Sequence, residues 1–155
     1  MPARRGAAPV GGPRATWITG SVAAWRASFP HAKEANFYGG YRRRSPIVDA
    51  DFVHFEGLQE LDMSYCRQVT DTAFVHLKGI RKLIMWCCFQ NTITDAAFAH
   101  LKGIHTLDMR QCSQATITVA AFSHLAGISS IRIEGCSAAA IAAAKAAGLR
   151  VLQLN

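Results

Sequence analysis

The stretch DAAFAHLKGIHTLDMRQC, residues 95–112, decides the fold because the chain contains it three times in recognisably similar form. Residues 71–88 read DTAFVHLKGIRKLIMWCC, and residues 49–66 read DADFVHFEGLQELDMSYC. Each of four residue columns advances by 22, 24 and 24 residues. The columns are Phe52, Phe74, Phe98 and Phe122; His54, His76, His100 and His124; Gly57, Gly79, Gly103 and Gly127; and Cys66, Cys88, Cys112 and Cys136. Four columns in one register predict structurally equivalent units stacked side by side.

Each unit changes its hydrophobic period along its length. Ala73, Phe74 and Leu77 stand at helical spacing, which predicts a short helix. Thr70 and Thr94 are typical N-cap residues, and each is followed by an acid that suits a helix start. The column glycine then ends the helix. The following pattern L-x-x-L-x-L-x-x-C alternates at its centre, which predicts a short strand with one buried face.

This strand-plus-helix unit resembles the leucine-rich repeat, and its closing cysteine resembles the cysteine-containing subtype found in F-box/LRR proteins. The resemblance covers residues 46–155, with Met or Ile where Leu is usual in the third apolar column. It implies an α/β fold: a right-handed, horseshoe-shaped solenoid with a parallel sheet on its concave face and short helices on its convex face. Stacking gives the units the continuous core that a single unit lacks.

Three segments are predicted from these patterns. Residues 1–15 form a flexible basic segment, and residues 16–45 form an N-terminal cap with a helix carrying Trp25 and a first strand through Ala35 and Phe37. Residues 46–155 hold four full repeats, followed by an alanine-rich helix and a final strand with Leu152 and Leu154 in its core columns.

Positive charge is concentrated at the N-terminal end of the chain. The formal net charge is +7, residues 1–44 contain eight bases against one acid, and residues 45–155 contain nine of each. A basic patch at Arg42, Arg43 and Arg44 is therefore a candidate contact for RNA phosphates, anionic lipid or an acidic partner. No apolar run is long enough to predict a membrane span.

Five cysteines without a recognisable secretory signal predict an intracellular, reducing compartment, either cytoplasm or nucleus. The Arg-rich, acid-poor start leaves the mitochondrion as the alternative. The column cysteines are expected to be buried and reduced, with their S–H groups near backbone carbonyls. Cys87 stands outside the column and is expected to point toward solvent.

No pattern in the sequence predicts catalysis, a cofactor or a metal site. The histidine column places one imidazole in each repeat rather than four around one point, as zinc requires. We expect each imidazole to cover a helix flank and bond a backbone group, without accompanying acids. Sequence motifs for phosphate, dinucleotide or zinc chemistry are absent, so we predict a protein that is not an enzyme.

The outward-facing strand residues vary from repeat to repeat while the core columns barely change, which favours a binding surface. Trp86 is the centre of this candidate site, because Trp, Tyr and Arg carry most interface energy. The predicted protein-binding residues are Asp62, Tyr65, Ile84, Trp86, Asp108, Arg110, Arg132 and Glu134. The edge of the last strand, which ends at Asn155, is a second candidate.

We therefore predict a non-enzymatic protein–protein interaction module, or an accessory scaffold subunit of a larger complex. Two alternatives stay open at this point. One is the substrate-recognition part of an F-box-type ubiquitin ligase, although residues 1–45 carry no visible F-box. The other is a structural subunit of a mitochondrial or ribonucleoprotein complex that uses the basic N-terminal segment.

Overall fold

The computed structural model describes residues 17–37 and 45–152. Seven short strands form one parallel sheet in which every strand pairs with its neighbours in chain order. Their bounds are β1 Trp17–Ile18, β2 Glu34–Phe37, β3 Glu60–Asp62, β4 Lys82–Ile84, β5 Thr106–Asp108, β6 Ser130–Arg132 and β7 Val151–Leu152. This sheet, backed by short helices, is the predicted α/β solenoid.

The helices return the chain from each strand to the next. They are α1 Val22–Ser28, α2 Asp71–Phe74, α3 Asp95–Phe98, α4 Val119–Ser123 and α5 Ala138–Ala146. 3₁₀ helices continue α2 and α3 at Val75–Leu77 and Ala99–Leu101, and the first repeat has only a 3₁₀ helix, Asp49–Phe55. The predicted N-caps are confirmed, because the hydroxyls of Thr70 and Thr94 accept bonds from the backbone N–H groups two residues on.

One continuous apolar core fills the space between the sheet and the helices. The column phenylalanines are fully buried, as are Leu61, Leu83, Leu107 and Ile131, which lie directly opposite one another on successive strands. Because these side chains come from equivalent positions, each repeat covers the apolar face that its neighbour leaves open.

A ladder of carboxylates ties the helical layer together across repeats. Asp71 accepts both the backbone N–H and the hydroxyl of Thr94, at 2.7 and 2.6 Å. Asp49 binds Thr70 and Asp95 binds Thr118 in the same way. The acid after each threonine therefore does more than favour its own helix start, because it also holds the N-cap of the next repeat. Val119 occupies the next equivalent position, so this set of bonds ends there.

Arg26 fastens the N-terminal cap to the first repeat. Its guanidinium donates to the carbonyls of His54 and Glu56 at 2.6 and 3.2 Å, and to that of Ala32 at 3.2 Å. Longer bonds reach the carbonyls of Phe29 and Pro30. The predicted cap helix is confirmed as α1, with Ser21 at its N-cap and Trp25 buried against Phe55.

The structure corrects the predicted ends of the sheet in two places. β1 was not predicted, because two residues are too few to show an alternating pattern. β7 lies one residue away from its predicted register: Val151, rather than Leu152, lies opposite Ile131, and Leu152 is 43% exposed. A one-residue shift exchanges the two faces of a strand.

The shift at β7 follows from how α5 ends. α2 and α3 continue into 3₁₀ helices, whereas α5 is α-helical to Ala146. Its last turn closes with bonds from Gly148 N–H to Lys145 O and from Leu149 N–H to Ala144 O. This arrangement is a Schellman-type C-cap. It brings the chain onto the sheet one residue earlier than the spacing of the other repeats suggests.

Several predicted features lie outside the described residues. They are the basic segment 1–15, the basic patch at Arg42, Arg43 and Arg44, and the chain end from Gln153 to Asn155. The division of the chain at residues 15 and 45 stays a prediction.

Candidate functional site

The strand face that points away from the core, here called the concave face, brings the predicted binding residues together. Asp62, Ile84, Asp108 and Arg132 lie opposite one another in a single row across β3, β4, β5 and β6. Trp86, Arg110 and Glu134 follow two residues later in their repeats. Their carbonyls accept bonds from the N–H groups of Tyr65, Cys87 and Gln111, so this second row is as regular as the first.

Tyr65, Trp86 and Arg110 form a stacked group, which we call the Trp86 cluster. The rings of Tyr65 and Trp86 lie 5.4 Å apart between centroids. The guanidinium of Arg110 lies 5.6 Å from the centre of the Trp86 ring, within cation–π range. Trp86 is half-buried between residues of the repeats on either side. The cluster therefore holds an aromatic surface in one orientation before any partner arrives.

Asp108 lies on the predicted face, but its side chain is not available to solvent. Its exposed fraction is 6%, because Arg110, two residues further along the chain, folds back over it. The guanidinium of Arg110 donates to both carboxylate oxygens at 2.7–3.0 Å. The bond to Asp108 raises the pKa of Arg110. Asp108 thus positions Arg110 for contact rather than making contact itself.

A left-handed backbone column places Tyr65 in the cluster. Tyr65, Cys87 and Gln111 have φ angles of 63°, 58° and 59°, and Gly135 occupies the equivalent position with a φ of 74°. These residues turn the chain sharply before each column cysteine. Of these four residues, only Gly135 is of a type that commonly adopts left-handed backbone, which is unusual for Tyr, Cys and Gln. The sequence therefore indicates this geometry at Gly135 alone.

A groove of about 570 Å³ lies beside the cluster, toward the N-terminal end of the concave face. Among the described residues, its charged lining consists of Glu34, Glu60, Asp62 and Lys82. Lys82 is bound to Glu60 at 3.1 Å, and the acids in this part of the lining outnumber the bases by three to one. Trp17, which is 53% exposed, forms the outer wall, and Ile84 connects the groove to the Trp86 cluster. Trp17 was not predicted as a site residue because its strand, β1, was not predicted.

Arg132 and Glu134 extend the concave face toward its C-terminal end. Both are half-buried, and the charge of Glu134 contributes to the raised pKa of Arg110. The face is therefore acidic in the groove, aromatic at its centre and of mixed charge beyond Arg110.

One residue of the histidine column, His76, does not bond as expected. Nδ1 of His76 lies 2.7 Å from a carboxylate oxygen of Glu56, so an acid accompanies this histidine and the expected bond to a backbone group is wrong here. Glu56 belongs to the preceding repeat, where a sequence separation of 20 residues concealed the contact. Within residues 17–37 and 45–152, no group of three or more His, Cys, Asp or Glu side chains is arranged to hold a metal ion.

The column cysteines are buried free thiols, as predicted. The sulfurs of Cys88, Cys112 and Cys136 donate to the carbonyls of Met63, Met85 and Met109 at 3.0–3.2 Å, and Cys66 bonds the hydroxyl of Ser45. Burial raises the pKa of all four thiols, to about 12 for Cys66 and about 11 for Cys136. They remain protonated at neutral pH and contribute to packing.

Cys87 is expected to be the one rapidly reactive thiol in the native protein. It is partly exposed, whereas the four column thiols are buried and protonated. Titration with a thiol reagent such as DTNB at pH 8 should modify a single thiol before unfolding and five after it. The Cys87→Ser variant should lose the fast phase. A fast phase that survives this substitution would contradict the burial of the column.

None of the helices in the described part of the chain is long and apolar enough to cross a membrane.

No family model matches the chain, and no curated protein sequence matches it significantly. A chain from the Drosophila Toll–Spatzle complex, described as a molecular hub in development and innate immunity, has a TM-score of 0.51 at 10% identity. That match covers 72% of this chain and 18% of the other. A chain from the yeast Rad7–Elc1 complex has a TM-score of 0.52 at 14% identity, covering 80% and 37%.

Both structures are leucine-rich-repeat solenoids, and at these identities the likeness concerns the fold alone. This chain spans well under half the length of either. The parallel sheet, its chain-order pairing and these two neighbours together show that the chain folds as an α/β horseshoe solenoid of the leucine-rich-repeat type.

Proposed function

We propose that this protein is a non-enzymatic interaction module that binds another protein on its concave face, with the Trp86 cluster and the adjoining groove as the contact surface. The observation that carries the proposal is the fixed stack of Tyr65, Trp86 and Arg110 beside an acidic concavity. Aromatic and arginine side chains carry most of the energy of protein interfaces, and polar residues usually surround them.

The side chains of the Trp86 cluster are already ordered in the free protein, which supports the proposal that the cluster contacts a partner. Side chains that are already ordered lose little conformational entropy when a partner binds, so more of the contact energy appears as affinity. Arg110 is held by Asp108 and by the Trp86 ring, and Tyr65 is held by its left-handed backbone and the same ring. A partner would therefore meet a rigid surface.

The charge of the groove indicates the kind of partner segment that fits it. Glu34, Glu60 and Asp62 outnumber Lys82, whose ammonium is already engaged by Glu60. A partner that inserts a lysine or arginine into the groove while covering Trp86 would be complementary in both charge and polarity. The two structural neighbours come from protein complexes, which agrees with this class of function.

Trp86→Ala is expected to weaken partner binding by at least about tenfold, because hot-spot residues contribute about 2 kcal/mol or more. Its effect on the free energy of unfolding should stay near 1 kcal/mol, since the ring contacts with Tyr65 and Arg110 lie on the half-buried concave face and not in the core. Phe89→Ala is the matched control. It also removes a partly exposed aromatic ring with an arginine over it, but in a separate pair with Arg67.

A photo-crosslinking residue at position 84 tests the location of the interface. It should capture a defined partner, identified by mass spectrometry, and Trp86→Ala should abolish that capture. The same residue at position 89 should capture little. Equal capture from both positions would place the interface elsewhere and sink the proposal.

The finer alternatives remain predictions. Recognition of substrates for an F-box-type ubiquitin ligase rests on the resemblance in sequence. Membership of a mitochondrial or ribonucleoprotein complex rests on residues outside the described ranges. A reducing compartment is part of the proposal because four thiols are used as buried donors to carbonyl and hydroxyl oxygens.

A further inference from the structure

A second charged surface lies on the turns that lead into the strands. Backbone hydrogen bonds join each turn to the next, from an N–H group of one turn to a carbonyl of the turn before it. They align five residues in a row: Lys33, Gln59, Arg81, His105 and Ser129. Gln59 N–H donates to Lys33 O at 2.7 Å, and Arg81 and His105 continue the row at 2.9 Å. All five residues are exposed, so their side chains form a regular ridge along one rim of the solenoid.

Lys78 and Lys102 add positive charge to the same rim. Each stands immediately before a column glycine, Gly79 or Gly103, whose positive φ turns the chain toward the strand. Both lysines are exposed and occupy equivalent positions in adjacent repeats. Because neighbouring strands are spaced by about 4.8 Å, charges on successive turns lie close together. We call Lys33, Lys78, Arg81, Lys102 and His105 the turn edge.

The cations of the turn edge have few acids near them. Within the described residues, Lys33, Lys78, Arg81 and Lys102 form no salt bridge, whereas Lys82 and Arg110 on the concave face each do. Glu56 holds the position equivalent to Lys78 on these turns, and its carboxylate bonds Nδ1 of His76 at 2.7 Å, so the turn edge carries four permanent positive charges beside one acid. Positive charge is thus collected on the turn edge, while carboxylates line the groove on the concave face.

Helix capping does not account for the positions of all the cations on the turn edge. A cation after a helix can stabilise its C-terminal carbonyls, which would explain Lys78 and Lys102. Arg81 and His105 lie beyond the turn, next to the strands, and they make no such contact through their side chains in the described structure. A row of like charges also repels itself in the free protein, and an anionic partner would relieve this repulsion.

We propose that the turn edge binds an acidic segment of a partner protein. An extended segment presents alternate side chains on one face about 6.8 Å apart, a spacing that flexible lysine and arginine side chains can follow. Arg81 adds a planar guanidinium suited to a carboxylate. Nucleic acid is a poorer fit, because its binding draws on many phosphate contacts at once and the turn edge offers four permanent charges. This surface is separate from the concave face and does not depend on its proposed role.

A labelled decaglutamate peptide, titrated against the full chain by fluorescence anisotropy, tests the proposal. Lys78→Glu/Arg81→Glu should weaken binding at least about tenfold through lost and reversed charges. Arg67→Glu/Lys145→Glu is the matched control, since it makes the same change in net charge at two exposed positions outside the turn edge, one on the loop after β3 and one in α5. The control should change the affinity for the peptide less than about threefold, and Trp86→Ala should leave that affinity unchanged.

Equal weakening by the two double variants would mean that net charge alone attracts the peptide, and would overturn the proposal. Tighter binding of decauridine RNA than of the peptide would overturn it in favour of nucleic acid. If circular dichroism shows that Lys78→Glu/Arg81→Glu has not folded, Lys102→Gln replaces it. That single change should weaken binding by about threefold, and the absence of any effect would count against the site.

Discussion

Replacing Leu83 with alanine is expected to lower the free energy of unfolding by about 2–5 kcal/mol. Leu83 is fully buried in β4, opposite Leu61 on one neighbouring strand and Leu107 on the other. Shortening it leaves a cavity in the core that three successive repeats share, and rigid neighbours close such cavities only partly. Urea denaturation followed by circular dichroism gives the measurement, with the unfolding midpoint falling at an unchanged slope.

Ile84→Ala supplies the sharpest control because the two residues are adjacent in one strand. Ile84 points to the concave face and is half-buried beside the groove. Its loss should cost about 1 kcal/mol or less, in proportion to the smaller apolar area it buries. If Ile84→Ala destabilised the protein as much as Leu83→Ala, the assignment of the two faces of β4 would be wrong.

Arg26→Ala is expected to destabilise the N-terminal cap by about 2–4 kcal/mol, because a charged donor to several carbonyls is removed at once. The bonds to His54 and Glu56 join the α1 segment to the first repeat, and the bond to Ala32 shapes the turn into β2. Hydrogen exchange should therefore accelerate in α1 and β2 more than in β4 and β5. Solenoids permit such local loss because each repeat contacts only its neighbours.

Arg26→Lys separates the loss of charge from the loss of geometry. Lysine keeps the positive charge but donates from a single nitrogen, so it cannot reach all the carbonyls that the three nitrogens of the planar guanidinium bind. We expect a destabilisation smaller than that of Arg26→Ala but still measurable. Unchanged exchange in α1 for both variants would show that aromatic packing of Trp25 against Phe55, rather than Arg26, holds the cap.

The regular part of the fold could be predicted because its signals are local and repeated. The burial of Phe74, Phe98 and the column cysteines follows from helical and alternating periods that recur at fixed spacing. Errors occurred where the pattern was short or ended differently. β1 has two residues, and the α-helical ending of α5 moved Leu152 from the core to the surface.

The candidate site was predicted only as a set of outward-facing positions. Alternation placed Asp62, Ile84 and Trp86 on the concave face, but it could not indicate which of their neighbours would touch. The burial of Asp108 depends on the side-chain conformation of Arg110, and the groove depends on Trp17 from a strand that the sequence did not reveal. The turn edge escaped notice because Lys78 and Arg81 belong to a pattern of turn residues, not to the strand rows.

The sequence by itself determined the number of central repeats, the identity of the core columns and the face of each central strand, because these depend on periodicity within one unit. The tertiary structure decided the contacts between units: the aspartate–threonine ladder, the stack of Tyr65 on Trp86, and the ion pair that buries Asp108. Such contacts join residues about one repeat apart or depend on side-chain conformation. They form only when stacking brings neighbouring turns to within about 5 Å, a distance that no local pattern encodes.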